Sequence, residues 1–66
     1  MGNKTIPEIV ADLHLVEYNG GPKADDTIKI RVGTFTDVEV EVSEIADLHG
    51  VDGDELALAL FEKSRA

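Results

Sequence analysis

Sixty-six residues make one small domain, and a chain of this size hides only about 60% of the surface its unfolded form exposes. With no cysteine, disulfides and thiolate metal sites are excluded, and two histidines far apart offer no ordinary zinc site. The formal charge of −8 disfavours direct binding to nucleic acid, whose phosphates are gripped by clustered Lys and Arg.

The charge is unevenly spread. Residues 1–36 hold five acids against four bases, and residues 37–66 hold nine acids against Lys63 and Arg65. An acidic half suits a basic protein partner, or serves solubility. No apolar run approaches membrane-spanning length and no signal-peptide pattern opens the chain, so a cytoplasmic protein without a membrane partner is expected.

Residues 1–5 read as a frayed start. Ile6 to Tyr18 supports two patterns. As a helix, Ile6, Ile9, Val10, Leu13 and Val16 share a face, with Thr5 as cap and Pro7 in the first turn. As a strand, Ile9, Ala11, Leu13 and Leu15 alternate with Val10, Asp12, His14 and Val16. A strand over Asp12–Tyr18 is the preferred reading, with a short helical or extended lead-in. Asn19 to Asp26, rich in Gly, Pro, Asn and Asp, is a loop.

Thr27–Val42 is a hairpin. Ile28, Ile30 and Val32 alternate with Lys29 and Arg31; Val38, Val40 and Val42 alternate with Glu39 and Glu41. Matching the dry faces sets Ile30 opposite Val40, Ile28 opposite Val42 and Val32 opposite Val38, with Arg31 and Lys29 facing Glu39 and Glu41. Each such pair contributes about 0.2–1 kcal/mol. Gly33 and Asp37 then bracket a Thr34-Phe35-Thr36 tip, although a five-residue loop serves equally. Phe35 at that tip is a candidate partner contact.

Ser43 ends the alternation and is a good cap for a helix that Gly50 closes. Asp52 or Asp54 caps a second helix through Phe61, ending on Lys63 and Arg65; a single helix kinked near Gly50 is the alternative. Successive helical residues point about 100° apart, so Leu56, Leu58, Leu60 and Phe61 cannot share one narrow stripe. Leu56, Leu60 and Phe61 are expected to cover the sheet, with Leu58 turned toward a second copy of the chain. The fold expected is α+β: a small antiparallel sheet of two or three strands covered by C-terminal helical structure, and dimeric. The candidate partner-binding residues are Leu56, Leu58, Leu60, Phe61 and Phe35.

Catalytic and metal chemistry find little here. Asp52-Gly53-Asp54-Glu55 resembles a calcium loop only superficially, because Leu48 and Gly50 bring no oxygen ligands and the distant terminal Glu is missing. His14 and His49 are isolated, and no serine or threonine sits in a nucleophile or phosphate-loop context. No enzyme activity and no cofactor is expected.

Two resemblances bear on function. Ile45-Ala46-Asp47-Leu48-His49-Gly50-Val51, with Leu56 five residues on, resembles the core of a helix-turn-helix. The recognition helix would then begin Asp52, Gly53, Asp54, Glu55 and meet phosphates with negative charge, so the motif implies architecture more than DNA reading. Across residues 13–43, Leu15-Val16-Glu17, Gly20, Ala24-Asp25-Asp26-Thr27-Ile28, Gly33 and Val40-Glu41-Val42-Ser43 resemble the N-terminal domain of the actinobacterial H-NS-like nucleoid-bridging silencers. That resemblance implies a strand, an acidic loop, a hairpin and a C-terminal helix forming an oligomerising module, whose family members bind DNA through a separate basic domain. Gly50 and Gly53 interrupt what the family runs as one helix, and no basic DNA-binding segment is present. The implied role is an oligomerisation domain that joins or poisons a silencer's assembly.

The function expected is therefore non-enzymatic protein–protein association, regulatory and linked to a DNA-bound complex. The rivals are an acidic DNA mimic that occupies a basic groove, and a helix-turn-helix regulator.

Overall fold

The Thr27–Val42 stretch folds as a hairpin, two residues out of the expected register. The computed structural model describes residues 4–65. Strands β2 (Thr27–Arg31) and β3 (Asp37–Glu41) run antiparallel, with Ile28 opposite Val40, Lys29 opposite Glu39, Ile30 opposite Val38 and Arg31 opposite Asp37. A shift of two keeps every side chain on its own face, so alternation alone cannot distinguish the two registers. The turn decides between them. It is the longer loop, residues 32–36, closed by the Val32 N–H donating to the Thr36 carbonyl at 2.9 Å.

Two expected members of the dry face move as a result. Val32 joins the loop and is 57% exposed. Val42 leaves the sheet to open helix α2 (Val42–His49), where it is fully buried. Burying a valine contributes about 1.5–3 kcal/mol, more than the one cross-strand pair forgone. The new register also joins Arg31 to Asp37 at 2.9 Å. Ser43 is consequently not the cap: Glu41 holds that position, and the Ser43 N–H donates to the Ala24 carbonyl at 2.9 Å.

Within Ile6–Tyr18 the preferred strand forms with shifted ends, and its lead-in is helical, one of the two forms expected. Helix α1 (Ile6–Asp12) occupies the first half, and strand β1 is confined to Leu15–Asn19. The helical pattern prevails because it buries Ile9. Glu8 reaches back to accept the Thr5 N–H at 2.9 Å, and Pro7 sits in the first turn. From the far end of the chain, the Lys63 ammonium donates to the carbonyls of Val10 and Leu13 at 2.6 and 3.3 Å, satisfying acceptors that the end of α1 leaves open. Of the expected frayed start, residues 1–3 lie outside the described residues, whereas Lys4 pairs with Asp12 and Thr5 caps α1.

β1 adds to the other side of β2, giving the order β1-β2-β3, with an irregularity between Leu15 and Glu17. The result is an α+β fold with a three-stranded antiparallel sheet. Its C-terminal half is two helices. Gly50, at φ 67° and ψ 34°, ends α2 in the left-handed conformation, and the Val51 N–H returns to the Ala46 carbonyl at 3.0 Å. Asp52 Oδ1 then accepts the N–H groups of Asp54 and Glu55 at 2.8 and 3.2 Å, capping α3 (Gly53–Arg65). The core is Ile9 from α1, Ile28 from the sheet, Val42 and Ala46 from α2, and Leu56, Ala57 and Leu60 from α3. Among the described residues no helix is long and apolar enough to cross a membrane.

The loop between β1 and β2 is fastened at several points. Asp26 Oδ2 accepts from the Tyr18 hydroxyl at 2.6 Å and from the Lys23 N–H at 2.8 Å. Asp54 Oδ1 accepts the Ala24 N–H at 2.9 Å, and the Val42 N–H donates to the Asp26 carbonyl at 2.9 Å. The loop thus couples β1 to the starts of both C-terminal helices.

Candidate partner-binding surface

Helix α3 turns Leu56, Ala57 and Leu60 inward, each fully buried. Leu58 lies about 200° around the helix from Leu56 and is 47% exposed. Glu62 and Arg65 follow it at i+4 and i+7, forming an outward stripe with Phe61 on its shoulder. These four residues line a shallow depression.

Phe61 is held from both sides. Tyr18 of β1 meets it edge-on, with ring centroids 5.6 Å apart and planes at 72°. The Arg65 guanidinium lies 5.4 Å from the ring centroid, within cation–π range. Tyr18 is fixed in turn by Asp26. The floor of the stripe is therefore anchored to the sheet and to the β1–β2 loop.

Burial, followed by the hydrogen bond to Asp26 and that carboxylate's negative charge, pushes the Tyr18 phenol well above its ordinary pKa of 10.0. A raised folded-state value means that Tyr18 contributes stability in full below pH 10.0, which is lost as pH climbs further. Tyr18 is the only tyrosine, so tyrosinate absorbance reports it alone. Absorbance is expected to appear together with alkaline unfolding, rather than near pH 10 as in a free tyrosine. Tyrosinate forming near pH 10 with the fold intact would contradict this.

The expected contact residues therefore separate. Leu56 and Leu60 are interior, Leu58 and Phe61 come together on the outer side of α3, and Phe35 stands apart on the hairpin tip, 94% exposed. Sequence reasoning passed over Glu62 and Arg65, although their i+4 and i+7 spacing from Leu58 marks them. It also passed over Leu48, 74% exposed and two residues beyond the buried Ala46, the same offset that turns Leu58 away from Leu56.

The outer face of the sheet is charged. Register sets Glu17, Lys29 and Glu39 in one row across the three strands, with Arg31 and Asp37 beside it. The Arg31 guanidinium holds the Asp37 carboxyl below its ordinary range. Comparison of the chain with protein-family models, curated proteins and solved structures gives no match.

Proposed function

We propose that the protein is a non-enzymatic association module that pairs with a second copy of itself through the outer stripe of α3, in a regulatory, DNA-associated complex. The observation that carries this reading is Leu58, an aliphatic side chain left 47% exposed beside Phe61 in a domain with few core residues to spare. The stripe is self-complementary. Two copies of α3 packed antiparallel about a two-fold axis set Leu58 and Phe61 against each other and bring Arg65 toward Glu55 of the partner subunit. Only a patch that complements itself makes a closed dimer.

The link to DNA-associated complexes rests on the resemblance of residues 13–43 to the silencers' oligomerising domain. Direct DNA reading is disfavoured. The start of α3 carries Asp52, Asp54 and Glu55, and Asp54 is engaged with the Ala24 N–H. A mobility-shift assay at low salt is expected to show no shift. The exposed carboxylates of Glu17, Asp37, Glu39 and Glu41 favour the acidic mimic as a second reading. Salt-sensitive binding of a purified nucleic-acid-binding protein, competed by DNA, distinguishes it.

Light scattering over a concentration series tests the pairing. The wild-type mass is expected to rise from one subunit toward two, whereas Leu58→Glu stays at one subunit with unchanged circular dichroism. A wild-type chain that remains monomeric throughout, or a Leu58→Glu chain that pairs as well as wild type, overturns the proposal.

A further inference from the structure

The sheet has two edges, and they differ. Both edge strands are five residues long, but β1 carries an irregularity beside Val16. Such breaks protect an edge from further pairing. β3 is regular over its whole length and is protected by charge alone.

The hydrogen-bonding pattern shows which groups of β3 are free. Val32 bonds across to Thr36, and Val42 bonds across to Asp26. Both pairs keep the register of Ile28 with Val40 and Ile30 with Val38. In an antiparallel ladder bonded pairs alternate with unbonded ones, so Val38 and Val40 bond inward to β2. Asp37 and Glu39 therefore direct their N–H and carbonyl groups outward, where no described residue meets them. The side chains of Asp37, Glu39 and Glu41 are exposed on one face, and those of Val38 and Val40 are partly buried on the other.

We infer that the outer edge of β3 is a docking site for an extended basic segment of another protein, with Lys or Arg at alternate positions and apolar residues between. Charge complementarity selects this occupant. β2 shows what β3 accepts on its inner side: Lys29 and Arg31 facing acids, Ile28 and Ile30 continuing the dry face. The outer side lacks that compensation. Lys29 stands between Glu17 and Glu39, Arg31 is engaged with Asp37, and Glu41 faces only Thr27. A strand added outside supplies the missing cations, and its backbone satisfies the free groups of Asp37 and Glu39. A second copy of β3 is excluded, because antiparallel pairing of β3 with itself sets carboxylate against carboxylate.

A synthetic peptide of alternating lysine and valine tests the site, against a control of the same composition with its lysines in one block. On titration followed by amide NMR, the alternating peptide is expected to slow hydrogen exchange at Asp37 and Glu39. It should bind about tenfold more tightly than the block control, and more weakly as salt rises. Glu39→Pro removes an outward N–H without touching the ladder to β2 and is expected to abolish binding; Glu39→Gln weakens it. Equal binding of the two peptides, or unchanged exchange at Asp37 and Glu39, overturns the inference. Repeating the titration on Leu58→Glu separates this edge from the α3 stripe: binding that persists in that variant belongs to β3 alone, and binding lost there with the fold intact overturns a β3 site.

Discussion

Leu60→Ala is expected to remove most of the stability of the folded chain. Leu60 is fully buried in a core that counts seven buried residues among those described. A buried Leu→Ala change costs about 2–5 kcal/mol, the lost transfer energy plus the cavity left behind. A domain of this length has in total about 3–10 kcal/mol, at roughly 0.05–0.15 kcal/mol per residue. At about 4–8 °C per kcal/mol, the melting temperature should fall by at least about 8 °C. Leu58→Ala, two residues away on the outer side of the same helix, should cost the isolated subunit less than about 0.5 kcal/mol. Thermal unfolding of both variants, at concentrations too low for pairing, checks the contrast. Equal losses would mean that α3 seats differently on the sheet.

Gly20→Ala should be strongly destabilising although it lies outside the core. Gly20 holds φ at 118°, which side-chain-bearing residues rarely adopt, and an added Cβ would lie 2.4 Å from Asp26 Oδ1. Backbone strain of this kind costs about 1–3 kcal/mol. Displacing the Asp26 carboxylate also weakens its bonds to the Tyr18 hydroxyl and the Lys23 N–H, and a bond to a charged group contributes about 1.5–3 kcal/mol. Because the second effect passes through Asp26, it is not additive with that residue's removal. In an Asp26→Ala background the collision is gone and only the strain remains, so the penalty of Gly20→Ala should shrink. Denaturant midpoints for the four chains of this cycle measure the coupling; a penalty unchanged by Asp26→Ala would contradict the collision.

The same physics explains what could be read from the chain. The hairpin strands, the two C-terminal helices, the Gly50 stop and the Asp52 cap are local signals, and each was legible. The hairpin register was not. A slip of two residues conserves the faces, so the choice fell to the loop and to Val42, which gains more as the first buried residue of α2 than as the last of a strand. In Ile6–Tyr18 the strand was legible, but the choice between a helical and an extended lead-in was not. Both periodicities coexist there, and the tertiary contacts of Ile9 and of Lys63 with the end of α1 decide between them. The outward stripe of α3 was half legible: the spacing of Leu56 and Leu58 shows that one must face out. That Phe61 would be braced between Tyr18 and Arg65 depends on strand β1 lying beside α3, which no local pattern reports.

The proposed pairing of two subunits through α3 is tested most directly by isotope-filtered NMR on a mixture of labelled and unlabelled chains. Cross-peaks between the Leu58 methyls of one subunit and the Phe61 ring of another are predicted at high concentration, fading on dilution. A mixture that scatters as single subunits and shows no such cross-peaks would contradict the account.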